Sequence, residues 1–514
     1  MNVGKKTIIK NSSMGLISQV VTILFTFITR NLFIKYIGVE LLGINSTFAS
    51  VLGTLALAEL GFQSAITYSL YKPLYDKAYS TVNDIMNIFK IMYRGIGIFF
   101  IVSTIIVLPF LKYILKDITV DYVIYIYFIL QSGASACTYF FSYKRALLYA
   151  NQKDYISKII DLITNIIFNI CLCIILIYLK NYVAYLIIKI IQVYCSNLIV
   201  HLFCKKKYPF LKKAKLNRNK FKEIWKNVKN VFAGKIAGYI YGSTDNLIIS
   251  AFVSTIQVGY LVNYTTITKS LRTLTQSILN PMVPIIGNYL ESEENPDQRE
   301  KSFLLYTHVR YLLAMFIIIP TMVLINDFIT LWIGSDMLLP KLIIILLSID
   351  FYIDLVHSAS LDYIYGAGLF KAEKNIEIVG AIANIFISIS LVYSSGIAGV
   401  LLGTVISQIL FWIGRSYIAY YSCMELSKKQ YLMYWMRNLN YIIFFIIAYL
   451  LCEKIYNLLP MVISIVKIVV AGIICELVLI IYCNIVYYKI NEQKILFEAV
   501  KKMIIKTIGQ RPHW

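Results

Sequence analysis

Charge is scarce in this sequence. Acidic and basic residues make up 15% of its 514 positions, against about 25% in soluble domains. Glycine and proline are sparse as well, at 24 and 10, which excludes a collagenous or low-complexity chain. The nine cysteines contain no CxxC, so neither a zinc site nor a disulfide framework is expected. Most of them (Cys137, Cys171, Cys173, Cys195, Cys475, Cys483) lie in apolar runs and read as small buried hydrophobes. There is no GxxxxGK[ST] to bind a nucleotide phosphate, no HExxH and no GxSxG. The longest outer loop, about 326–338, is too short for a catalytic domain, so transport is favoured over catalysis. The first apolar stretch runs past Arg30 to about Tyr36 without a small-residue cleavage site, so no signal peptide is expected.

What fills the chain instead is apolar. Hydrophobic residues reach 59% and mean hydropathy is +0.70. A membrane span needs about 20 mostly apolar residues, and the runs predict about fourteen of them. The class is therefore an all-α polytopic membrane protein. A barrel is excluded because its strands would alternate over about ten residues. The expected spans are 11–36, 41–70, 86–111, 119–143, 157–179, 182–203, 230–252, 257–290, 302–325, 339–365, 375–393, 396–420, 438–453 and 461–487. The pair 157–179 and 182–203 is joined by so little chain that it predicts a tight antiparallel hairpin.

The net charge of +22 is mostly topology. One set of connections carries 33 Lys and Arg, and the opposite set carries only Lys112, Lys116, Lys180 and Lys454. The positive-inside rule then puts both termini in the cytoplasm of a plasma (inner) membrane protein. Membrane lipids are the expected partner of the remaining charge, and no nucleic acid is needed. The richest basic stretch, 204–229, reads as a cytoplasmic linker. Internal echoes flank it. Thr29–Gly43 (TRNLFIKYIGVELLG) resembles Thr244–Tyr260 (TDNLIISAFVSTIQVGY), aligning Asn31 with Asn246 and Gly43 with Gly259. Leu147–Ile156 resembles Gly368–Ile378. The expected organisation is a six-helix lobe at 1–203, the linker, a parallel six-helix lobe at 230–420, and two further helices with a cytoplasmic tail in 421–514.

Charged groups inside a membrane are costly and usually face a cavity or a partner. Arg30 and Asp245 occupy equivalent repeat positions, and either pair with each other or snorkel to an interface. Lys269 and Arg272 share a helix face at i, i+3 spacing in TTITKSLRTLTQS. They read either as a cationic wall for a phosphate or pyrophosphate, or as a structural pair with carboxylates of the second span. Arg94 adds a further cation, and Glu59 a carboxylate that would partner Arg272, bind a cation or be satisfied by Ser and Asn neighbours. Around a helix Asp354 lies about 40° and His357 about 20° from Asp350, so the three share one face. They read as a proton or sodium site, or as a cluster that neutralises the basic residues. Pro281 and Pro284 predict a kink within the 257–290 span.

With these features in place, the chain resembles the Wzx-type oligosaccharide and polysaccharide flippases of the multidrug/oligosaccharidyl-lipid/polysaccharide exporter superfamily. The likeness rests on NSSMGLISQVVTILFTFITRNLFIKYIGVELLGINSTFASVLGTLALAELGFQSAITYSLYKPL near the N-terminus and on RALLYANQKDYI. The first 160 residues carry most of it, and the rest agrees in architecture. The resemblance implies two helix bundles around a central cavity, alternating access, and a substrate oligosaccharide linked to undecaprenyl pyrophosphate. It implies ion coupling by H+ or Na+, with no other cofactor, and work alongside a polysaccharide polymerase and glycosyltransferases. The family theme of cationic cavity residues falls here on Arg272, Lys269, Arg30 and Arg94. Two other readings stay open, a multidrug exporter of the same superfamily and an integral envelope polymerase or acyltransferase.

Overall fold

A computed structural model describes residues 5–56, 62–151, 153–212, 221–222, 225, 244–459 and 463–498. Every regular element among them is helical. The main helices are α1 (Lys5–Tyr36), α2 (Val39–Leu55), α3 (Phe62–Tyr75), α4 (Tyr79–Val107), α5 (Tyr122–Phe141), α6 (Arg145–Ala150), α7 (Asp154–Tyr178) and α8 (Tyr182–Lys207). They continue as α9 (Asp245–Phe252), α10 (Thr255–Leu279), α11 (Met282–Ser292), α12 (Pro296–Ile333), α13 (Lys341–Gly366), α14 (Phe370–Ile418), α15 (Lys428–Asn457) and α16 (Ile465–Val486). Among the described residues ten helices are long and apolar enough to cross a membrane, and Val39–Leu55 is a shorter apolar helix.

Among the described residues the expected spans map onto these helices with two differences. The span 257–290 is two helices rather than one kinked helix. Helix α10 stops at Leu279, and Pro281, which has no N–H to donate, stands at the N-cap of α11. Pro284 is then accommodated in the first turn of α11. Residues 57–61 of the 41–70 span and most of 230–252 lie outside the described residues; α2, α3 and α9 are the described parts of those spans. Helix α14 carries both 375–393 and 396–420, divided at Gly396, whose φ of 55° is cheap only for glycine.

The chain divides into two compact units, 1–263 with 381–403 and 264–380 with 404–514. The repeat-based lobes, 1–203 and 230–420, are a different division and stand as a proposal about pseudosymmetry. In the first unit, α7 and α8 form the expected hairpin. Lys180 turns the chain with φ 49°, and Asn181 accepts from the Ala184 N–H at 3.0 Å to cap α8. Helix α1 packs along α7, and α5 along α8. Phe48, Phe89, Phe100 and Phe128 are buried in the core of this unit. Helices α2 and α10 cross at Gly43 and Gly259. A Cβ on Gly43 would stand 3.2 Å from the Gly259 nitrogen and would overlap the Thr255 carbonyl oxygen.

In the second unit, α12 packs against α13, α15 and α16. Its contacts with α15 and α16 are tyrosine-rich. Tyr311 stacks on Tyr441 at 4.2 Å between ring centroids, and its hydroxyl lies 2.7 Å from that of Tyr487. The Tyr311 and Tyr487 phenols thus satisfy each other inside the core. Ser427 and Gln430 form a reciprocal capping box that starts α15.

Candidate functional site

The first unit has an open cavity of about 540 Å³. Three helices supply its polar wall through simple periodicity. Helix α1 contributes Ser18 and Thr22, α7 contributes Asp161 and Asn165, and α8 contributes Lys189, Gln192, Ser196 and Asn197. Spacings of three and four place each set on one helix face. Phe89 and Tyr93 of α4 form an aromatic floor.

Arg145, the first residue of α6, organises one side. Its guanidinium meets both oxygens of Asp161 at 2.8 Å, donates to Ser196 Oγ at 2.8 Å and donates to Asn197 Oδ1 at 2.9 Å. Ser196 in turn donates to Asp161 at 2.7 Å. This bidentate pair is rigid and electrically neutral. The other side is a directional chain. Lys189 donates to Gln192 Oε1 at 3.5 Å, Gln192 to Asn165 Oδ1 at 3.3 Å, and Asn165 to Thr22 Oγ1 at 2.8 Å. Among the described residues Lys189 makes no ion pair with a carboxylate. The chamber therefore offers alternating amide and hydroxyl donors and acceptors and one uncompensated ammonium. Such a lining matches a polyhydroxylated ligand that also bears an acidic group.

The second unit holds a continuous polar cluster on α10, α13 and α14. Arg272 donates to Asp350 at 2.5 Å and to Asp354 at 2.9 Å, and lies over the Phe351 ring at 4.9 Å. Gln408 donates to the other Asp350 oxygen at 3.1 Å, and its own oxygen lies 2.8 Å from His357 Nε2. Arg415 approaches His357 Nδ1 at 3.4 Å and binds Glu373 through Nε at 2.9 Å and through Nη2. Because a guanidinium can only donate, His357 accepts at Nδ1 and carries its proton on Nε2. The predicted common face of Asp350, Asp354 and His357 is present. Arg272 joins it as the partner of two carboxylates, so these three charges hold more acid than base. A separate buried pair, Arg310 with Asp362, is braced by Tyr306, which donates to Asp362 at 2.6 Å.

The other expected site residues lie elsewhere. Lys269 is exposed, one turn before Arg272 on α10. Arg94 is exposed on α4. Arg30 is half-buried on α1 and reaches Asn263 Oδ1 at 3.5 Å. Asp245 opens α9 beside Thr244, which bonds Asn384 at 3.3 Å. Glu59 lies outside the described residues. Sequence reasoning missed Arg145, Asp161, Lys189 and Arg310. The signal for Asp161 and Lys189 was the polar spacing 161, 165, 169 in α7 against 189, 192, 196 in α8, two stripes that the hairpin must bring side by side.

This helical architecture has solved counterparts. The lipid II flippase MurJ, in an inward closed conformation, superposes with a TM-score of 0.70 at 14% identity, over 93% of this chain and 99% of that one. An inward-facing multidrug resistance MATE family transporter of the MOP superfamily gives 0.61 at 14% identity, over 77% and 94%. A point mutant of the Vibrio cholerae MATE transporter VcmN gives 0.57 at 12% identity, over 83% and 98%. At such identities the likeness is one of fold, and that fold is the polytopic all-α architecture of MOP-superfamily transporters. No curated relative matches the chain by sequence. Residues 8–289 match the family described as "Polysaccharide biosynthesis protein", and the chain belongs to that family.

Proposed function

We propose that the protein is a flippase that moves an undecaprenyl-pyrophosphate-linked oligosaccharide from the cytoplasmic to the outer leaflet of a bacterial plasma membrane. The product would feed surface polysaccharide assembly by a polymerase and glycosyltransferases. Alternating access driven by H+ or Na+ would supply the direction, with both termini in the cytoplasm. The observation that carries this reading is the 540 Å³ chamber of the first unit. Hydroxyls and amides there replace the water that a glycan must shed, and Lys189 faces an anionic group of the cargo. Asp350, Asp354 and His357 are the candidate coupling groups, because protonation of a carboxylate would release Arg272. Lys269, Arg30 and Arg94 are further cationic candidates, with Asp245 and Glu59 as acidic ones.

A multidrug exporter is the second reading, and one observation favours it. Arg272 is outnumbered by Asp350 and Asp354, so that cluster would attract a cation rather than a pyrophosphate. Reconstituted protein separates the two. The flippase reading expects protein-dependent transfer of a lipid-linked oligosaccharide across the bilayer, reduced by Lys189→Gln. Transfer of cationic drugs with no transfer of the glycolipid would overturn it.

A further inference from the structure

A second cavity, of about 210 Å³, lies in the first unit between α4, the end of α5 and α8. Lys90, Lys144, Lys205, Lys212 and His201 line it, and among the described residues no carboxylate does. Lys144 is its most telling member. Its side chain is buried, the residue being 6% exposed. Among the described residues its ammonium contacts only His201, at 3.4 Å from Nε2 and 3.4 Å from the carbonyl oxygen. The Nδ1 of His201 is buried with no partner among the described residues. Lys144 stands just past the end of α5. Burial, reinforced by the Lys90 and Lys205 charges, holds it below the ordinary lysine range despite Cys204. Burying an ammonium without a counter-ion is costly by several kcal/mol. The arrangement is one that an anion would complete.

The surrounding backbone is built to hold the mouth in place. Asn87 donates to the Lys212 carbonyl oxygen at 2.9 Å, and the Lys212 N–H donates to Asn83 Oδ1 at 2.9 Å. These two bonds pin the segment after α8 onto α4 and keep Lys212 at the rim. Several ammonium groups converging on a small cavity suit a compact oxyanion of high charge. The volume suits a phosphate or pyrophosphate group. Lys144, Lys205 and Lys212 belong to connections that the charge bias assigns to the cytoplasm, and Lys90 lies on α4 beside them.

We propose that this pocket binds the phosphate or pyrophosphate group of a membrane-anchored lipid at the cytoplasmic face. The inference rests on the orientation and cargo proposed above. The same chemistry has two sources, the polyprenyl carrier of the cargo and an anionic phospholipid headgroup.

The test uses the full-length protein in phosphatidylcholine nanodiscs, with inorganic pyrophosphate as the probe. Calorimetry should show binding that weakens about tenfold in Lys144→Gln and several-fold in Lys205→Gln, an exposed position that does not threaten folding. No binding by the wild type, or unchanged affinity in both variants, overturns the pocket. Native mass spectrometry then separates the sources. Farnesyl pyrophosphate retained against excess phosphatidylglycerol assigns the carrier, and its displacement assigns the phospholipid; either result upholds a lipid phosphate. Pyrophosphate binding in a protein that transfers no glycolipid would sink the flippase reading alone. Glycolipid transfer without pyrophosphate binding would sink this pocket alone.

Discussion

Lys144 and Arg145 are consecutive residues whose side chains line two different cavities. Arg145 is tied to Asp161 in the larger, hydroxyl-rich chamber, while Lys144 is buried in the smaller, basic one. The same division runs along α4, where Phe89 and Tyr93 face one cavity and Lys90 the other. It runs along α8 too, with Lys189 to Asn197 in the first and His201 and Lys205 in the second. A polar, hydroxyl-rich chamber thus adjoins a cationic pocket within one compact unit.

Breaking the Arg145–Asp161 pair should destabilise the protein. Its side chains are 23% and 36% exposed, so solvent moderates the loss, and about 1–3 kcal/mol is expected for each single substitution. Arg145→Met and Asp161→Met should each lower the melting temperature of detergent-solubilised protein. The double variant should recover part of the loss, with a coupling of about 0.5–3 kcal/mol. Strict additivity would contradict the pairing.

Arg272→Ala should impair export more than insertion. It leaves the neighbouring carboxylates of Asp350 and Asp354 without the guanidinium that binds both. Adding Asp350→Asn should restore thermal stability without restoring transport. Export from cells that carry Arg272→Ala at wild-type protein levels is the readout. Undiminished export would remove this cluster from the mechanism.

Gly43→Ala and Gly259→Ala should each cost about 1–3 kcal/mol, because the new methyl meets backbone at the α2–α10 crossing. Gly95→Ala, which has nothing within 4 Å of its added methyl, should be neutral or slightly stabilising. Thermal melts of the three variants check the contrast.

Much of this fold is written locally. Long apolar runs give the helices, and the short 179–181 connection gives the α7–α8 hairpin. The 350, 354, 357 spacing gives a shared face of α13, which the structure reproduces. The partner of that face was less legible, since Arg272 reads as a cavity cation until Asp350 and Asp354 are seen to claim it. The chamber was harder still. Asp161 and Lys189 are single charges on separate helices, and Arg145 looks like any basic loop residue. Their meaning depends on the alignment of two helices across a hairpin. Arg310 lies 52 residues from Asp362, and His308 lies 185 from Gln493; no local pattern links such partners. Gly43 and Gly259 were readable as repeat equivalents, but their mutual contact is a property of packing.

The most direct test of the central claim is the leaflet distribution of lipid-linked oligosaccharide in cells depleted of this protein. The account predicts accumulation on the cytoplasmic leaflet, reversed by the wild type and not by Lys189→Gln expressed at the same level. Completed glycans reaching the outer leaflet at the normal rate in depleted cells would contradict it.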